Sequence, residues 1–312
     1  MRIALSLFLT TLVMVSCQTK PPTKITQEKP VLSESALSAK LMEGNPVILD
    51  VRAPFEFNLS HVPGAINVRW EDFSQQDPNS RGVLLEDLFS VARRLSLIGI
   101  DVDSKVVILG KGSLGNGEEG RIAWTLNVLG VKDVHTALHS SYREMNVQEA
   151  PAVKNKPYWK PVIEESMFID AKNFKAYATQ QLPQLRMAAK KSRKSGVDLP
   201  VNSLFGMNFN EAKDKIVILD VRSGAEYAIN NLTKYKNVKA PIVQLEWKDF
   251  FTAMDFPNKD VEKKLEAKGV SKDKVILVIS NHGVRSGAVT FALRQVGYRQ
   301  SVNFAGGYEQ WK

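Results

Sequence analysis

The segment Ser280-Asn281-His282-Gly283-Val284-Arg285-Ser286 carries the densest chemistry in the chain. It follows a β-branched run, turns at a glycine and leads into a helical pattern, so several backbone N–H groups should converge on one concave point. Arg285 adds a fixed positive charge with a planar fork of donors. Such a ring suits a small oxyanion (sulfate, thiosulfate or phosphate), at ~1–3 kcal/mol per charge-assisted bond. The alternative at the same residues is that Arg285 pairs with a neighbouring carboxylate and the loop holds water. Ser280 and His282 also invite a Ser–His hydrolytic couple. That couple needs a third, orienting carboxylate, which no pattern here supplies, and alternate loop side chains point apart. His282 therefore reads as a solvent-facing loop residue.

Two further triplets, Asp50/Arg52/Glu56 and Asp220/Arg222/Glu226, have the residue types of acid–base groups. Their spacing after a strand fits better a structural tie between the strand end and the next helix. His61, beside Pro63-Gly64, reads as a loop hydrogen-bonder. The chain has 4 His, at 61, 135, 139 and 282, in no zinc pattern. His135 and His139 have helical spacing but no third ligand nearby, so neither a metal nor a cofactor is expected.

Thiol chemistry is bounded by a single cysteine, Cys17. Before it, Met1-Arg2 and the apolar run Ile3 to Val15 describe an export signal, too short to span a bilayer as a helix. Ser16-Cys17-Gln18 resembles a bacterial lipoprotein signal, with Met14 where such signals usually have Leu. That resemblance implies lipidation of Cys17, loss of its thiol, and sorting by Gln18 to the outer membrane of a Gram-negative cell, facing the periplasm. The chain's +9 charge (Lys+Arg 42, Asp+Glu 33) includes the basic stretch Arg186 to Lys194. This stretch reads as a solvated helix or loop, with contact to anionic lipid as the alternative and no nucleic-acid module around it. The 44% hydrophobic and 24% charged composition is that of a globular chain.

The elements that must position these residues occur twice. Val47-Ile-Leu-Asp-Val-Arg52 recurs letter for letter as Val217-Ile-Leu-Asp-Val-Arg222, and Trp70-Glu-Asp-Phe73 is answered by Trp247-Lys-Asp-Phe250. A second apolar run follows in each copy, from Val106 and from Val275, then a Gly-containing loop and a helical pattern ending in Gly130 or Gly297. This is one domain twice. Continuous apolar runs alternating with helical stretches, such as Leu84–Leu97 and Gly287–Val296, predict parallel sheets covered on both faces. Pro151, Pro157 and Pro161 mark a linker.

Taken together, these residues resemble the rhodanese superfamily in the tandem arrangement of thiosulfate and mercaptopyruvate sulfurtransferases. Copy one carries Asp50-Val-Arg52, Glu56-Phe57 and His61-Val-Pro-Gly-Ala-Ile-Asn67; copy two carries the Ser280–Ser286 loop and Gly306-Gly-Tyr-Glu-Gln-Trp311. Where active members begin that loop with the cysteine that accepts sulfur, this chain has Ser280. The copy-one loop, Gly110 to Gly120, has no cysteine either, and copy two reads Asn237-Val-Lys-Ala-Pro-Ile242 in place of the His-x-Pro-Gly-Ala motif. Glu118-Glu119 suit a helix start but repel an anion, so the copy-one loop reads as structural or interfacial.

The resulting expectation is an α/β chain of two rhodanese-like domains, each a mainly parallel sheet with helices on both faces. Residues 1–16 are the signal peptide, 17–30 a lipidated linker, 31–150 domain one, 151–165 the linker and 166–312 domain two. Function is expected as a pseudoenzyme that binds a small oxyanion or a protein partner at the domain-two loop. A persulfide needs a thiolate, and serine has no sulfur to hold the transferred atom. The alternative is an active sulfurtransferase or other transferase using that loop.

Overall fold

The computed structural model describes residues 33–149, 154–181 and 203–311. Cys17, the export signal and the basic stretch Arg186 to Lys194 lie outside the described residues. Among the described residues no helix is long and apolar enough to cross a membrane.

In the first repeat the elements are α1 (Glu34–Leu41), β1 (Val47–Asp50), α2 (Pro54–Leu59), β2 (Ile66–Asn67), α3 (Leu88–Leu97), β3 (Val106–Gly110), α4 (Glu118–Val128) and β4 (Val134–Leu138). The second runs β5 (Phe168–Ile169), α5 (Ala171–Thr179), β6 (Ser203–Leu204), β7 (Met207–Asn208), α6 (Phe209–Lys213), β8 (Ile216–Asp220), α7 (Gly224–Ile229), β9 (Ile242–Gln244), α8 (Val261–Glu266), β10 (Val275–Ile279), α9 (Val284–Gln295), β11 (Ser301–Phe304) and α10 (Gly307–Trp311). The main sheets are parallel, with strand orders β2-β1-β3-β4 and β5-β11-β10-β8-β9; β6 and β7 form a separate antiparallel hairpin. The central strands β3, β8 and β10 are buried at every position, as both-face burial requires of an apolar run.

Register makes the duplication exact in space. Asp50 pairs with Leu109 and Asp220 with Ile279, so Gly110 and Ser280 hold the same place at the end of their strands. The helices that follow, α4 and α9, start after glycines in the left-handed region, Gly117 (φ 80°) and Gly283 (φ 74°). Glu119 therefore corresponds to Arg285, and Gly120 to Ser286.

α4 and α9 pack against each other and join the two repeats. A Cβ on Gly120 would stand 2.6 Å from that of Ala288, and one on Gly287 would stand 3.1 Å from the Arg121 Cδ. Small residues on both helices permit this approach. One apolar core accordingly crosses the junction, placing Val284, Phe291 and Ala305 of the second repeat with Trp70, Leu88 and Trp124 of the first. The Trp124 indole donates to the Met167 carbonyl at 3.0 Å.

Two helical expectations are corrected. The stretch Leu84–Leu97 is helical only from Leu88, because the Asp87 side chain accepts from the Phe89 and Ser90 amides and starts the helix there. Gly287–Val296 begins earlier, at Val284. The helical spacing of His135 and His139 is also overturned: His135 lies on β4 and His139 opens a 3-10 turn.

Candidate functional site

The site builds from the carboxyl ends of β8 and β10, where a parallel sheet presents its loops. Asp220 ends β8 fully buried, and Arg222 folds back on it with Nε at 3.0 Å and Nη2 at 2.8 Å. Nη2 also donates to the Asn230 carbonyl at 2.6 Å, which fixes the end of α7. Asp50 and Arg52 repeat this arrangement, with Nη2 on the Ser60 carbonyl at 2.8 Å. In both repeats the Asp–Arg pair ties strand to helix. The Tyr308 hydroxyl donates to Asp220 at 3.0 Å, and burial together with that carboxylate pushes the phenol well above its ordinary range.

Glu226 reaches further than such a tie. It caps α7 through Ser223, then accepts from Asn281 Nδ2 at 2.7 Å and from both terminal nitrogens of Arg285, at 2.7 and 2.8 Å. The Arg285 fork holds the Glu226 carboxyl far below the usual carboxylate range. Of the two readings of Arg285, the geometry is the one in which it pairs with a neighbouring carboxylate. In the first repeat the corresponding Glu56 meets a loop cation in the same way, Lys111 at 2.7 Å.

Ser280 is buried to 1% exposure, its hydroxyl 3.0 Å from that of Ser286 and accepting from the Ser286 amide at 3.2 Å. It makes no bond to His282. The His282 ring instead lies half-buried with Nδ1 2.9 Å from Glu309, a carboxylate on α10 that sequence spacing did not single out. Gly283 is required: a Cβ there would stand 2.1 Å from the Ala305 carbonyl oxygen. Val284 starts α9 and packs into the core that crosses the two repeats.

A residue of the other repeat braces this loop. Arg121, fully buried, donates from Nη1 to the Gly283 carbonyl at 2.9 Å and from Nη2 to the Gly82 carbonyl at 2.5 Å and the Ser74 hydroxyl at 3.0 Å. Its guanidinium lies over the Trp124 ring (4.6 Å) and near Trp70 (5.7 Å). Burial lowers it to about 9, which leaves it charged at neutral pH.

The first repeat's loop has been filled from within. Gly110 and Gly120 replace the two serines, and the Glu119 carboxyl occupies the space, so close that a Cβ on Gly110 would meet it at 2.2 Å. A polar cavity of about 310 Å³ opens beside it, lined by Arg52, Arg69, Lys111, Asn116 and Glu118. His61 is a buried hydrogen-bonder, its ring nitrogens 2.9 and 2.8 Å from the Phe57 and Glu149 carbonyls. Among the described residues no cluster of three metal-ligating side chains forms.

Residues 33–144 and 208–312 each match the family model described as "Rhodanese-like domain". A search of curated protein sequences finds no match. Among solved structures, the chain is similar to the 3-mercaptopyruvate sulfurtransferase SseA from Escherichia coli at 16% identity and TM-score 0.62, covering 87% of this chain and 96% of that one. It is similar to a probable thiosulfate sulfurtransferase at 15% identity and TM-score 0.52, covering 86% and 94%. It also resembles wild-type EanB, at 16% identity and TM-score 0.61, covering 85% of this chain and 61% of that one. At these identities the likeness is one of fold.

Proposed function

This chain belongs to the rhodanese family, and we propose that it works there as a pseudoenzyme, binding without transferring sulfur. The observation that carries this reading is Ser280, which stands at the end of β10 where the family's sulfur-accepting cysteine would be, buried and bonded to Ser286. A hydroxyl has no sulfur to hold a sulfane atom and needs a dedicated base to attack. His282, the one histidine in the loop, is turned to Glu309 instead.

Of the two ligands the loop invites, the geometry favours a protein partner over a small oxyanion. Arg285 is already neutralised by Glu226, so an anion would be held by loop amides and serine hydroxyls alone. Asn281, His282 and Glu309 remain partly exposed on the rim for polar contacts. We place the protein in the bacterial envelope, held by a lipid on Cys17 and facing the periplasm; fatty-acid label retained by a Cys17→Ala chain would overturn that placement.

The deciding assay is thiosulfate-to-cyanide sulfur transfer by the wild type beside Ser280→Cys. The wild type is expected to release no thiocyanate and the variant to gain activity. Robust turnover by the wild type refutes the proposal. In a parallel titration, tens of millimolar sulfate or phosphate should leave the melting temperature unchanged; a clear rise would restore the oxyanion reading.

A further inference from the structure

Glu119 and Asp255 come from different domains and meet at the junction. Glu119 lies in the first turn of α4, and Asp255 in the loop that follows Trp247–Phe250. Each is 1% exposed, and neither carboxyl has a well-aligned hydrogen-bond donor; the backbone amides of Gly112 and Glu119 act weakly on Glu119 and offset part of the effect of burial. The two side chains lie within hydrogen-bond reach of each other, and burial raises both above the ordinary carboxyl range, Glu119 to about 7.

The backbone around Asp255 is what docks the second domain on the outer edge of the first sheet. The Leu138 amide of β4 donates to the Met254 carbonyl at 3.1 Å, and the Thr136 hydroxyl donates to the Asp255 carbonyl at 2.6 Å. Asp255 holds a left-handed backbone (φ 67°), a conformation a non-glycine residue keeps only where its surroundings fix it.

Among the described residues no cation compensates the pair. Glu118, the other charge acting on both, is an anion engaged by Asn116. The nearby cations are committed elsewhere: Lys111 to Glu56, Arg52 to Asp50, Arg121 to the Gly82 and Gly283 carbonyls, and Arg285 to Glu226. His135 pairs with Asp133 at the exposed end of β4. His139, following β4, is held below its ordinary value by burial and has an unpartnered Nε2.

Two adjacent carboxylates without a cation cannot both stay ionised in a buried site, whereas one carboxyl donating to one carboxylate satisfies both. We propose that Glu119 and Asp255 share a single proton across the domain junction, so that docking of the two domains is proton-linked and loosens when the pair ionises fully. Ionisation sends that proton to solvent and leaves two like charges facing each other.

The sign follows from linkage. A carboxyl raised in the folded state contributes stability at low pH that is lost as pH rises from about 4.5 toward about 7. His139 acts oppositely, losing stability as pH falls below about 6.5, so the decisive comparison is between proteins rather than along one curve. The test is urea unfolding of the full chain between about pH 5 and pH 9, for wild type and the double variant Glu119→Gln/Asp255→Asn, since either single variant would keep one carboxyl raised by burial. The wild-type folding constant is expected to fall about 100-fold more over this range than that of the double variant. Identical pH profiles for the two overturn the proposal. If the double variant fails to fold, infrared spectra of the wild type decide: a buried carboxylic-acid C=O band present near pH 6 and weakening as pH rises supports the shared proton, and its absence near pH 6 refutes it.

Discussion

Replacing Arg121 with Met keeps an apolar stem in the junction while removing the fork that ties it together. In the native protein three bonds leave the guanidinium, two of them to the Gly283 and Gly82 carbonyls. At about 2 kcal/mol per bond from a charged donor they amount to roughly 6 kcal/mol. The faces of Trp124 and Trp70 add about 2 kcal/mol. Against this stands the cost of holding the charge out of water. The lowering from 12.5 to about 9 converts to roughly 5 kcal/mol. The difference, about 3 kcal/mol, is the expected loss, in keeping with the cost of stranding the partners of a buried charge. Urea unfolding followed by tryptophan fluorescence measures it, since Trp70 and Trp124 flank the group. Arg121→Lys keeps the charge but not the fork, and should recover less than half of the loss. If Arg121→Met costs below about 1 kcal/mol, or stabilises, the guanidinium does not brace the loop and the reasoning fails.

Two further outcomes follow from the same junction and loop. Gly120→Ala should destabilise by about 1–3 kcal/mol in urea, because its Cβ would stand 2.6 Å from that of Ala288 and 2.8 Å from its Cα, so a helix must move. Glu226→Gln should cost about 1–2 kcal/mol at neutral pH, discounted because the pair is partly exposed, and should flatten the loss of stability on acidification. The sign is that of a lowered carboxyl: its contribution is present above about 4.5 and lost as pH falls through the folded value. An unchanged acid limb in a pH series of melting temperatures would contradict the assignment.

The duplicated α/β unit was legible because Val-Ile-Leu-Asp-Val-Arg encodes a buried strand and the Asp–Arg tie at its end, both local consequences of short-range chemistry. The Ser280–Ser286 loop was legible for the same reason. What escaped depends on distant partners. Whether Arg285 is a free cation turns on Glu226, 59 positions away. Arg121 reads as an ordinary charge at a helix start, and its partner Gly283 lies 162 positions on. His135 and His139 have helical spacing, yet strand pairing with β3 overrides it. Leu84 has helical character, but its bridge to Ser74 keeps it extended ahead of the Asp87 cap.

The two loops are occupied from within in different ways. In the second domain Glu226 neutralises the Arg285 cation; in the first, the position equivalent to Arg285 is Glu119, whose carboxyl lies in the space beside Gly110. Each loop also meets the other domain. The Gly283 carbonyl accepts from the Gly287 amide at 3.0 Å and Asn303 Nδ2 at 3.3 Å within its own repeat and takes a third bond from Arg121 of the first domain, while the Glu119 carboxyl lies against Asp255 of the second. Buried polar groups left unpaired cost about 1–3 kcal/mol each, a large share of a domain's net stability. The group most exposed to that cost is Arg121, whose bonds to the Gly82 carbonyl, the Ser74 hydroxyl and the Gly283 carbonyl span the two repeats, so the domain-two loop is braced from the first.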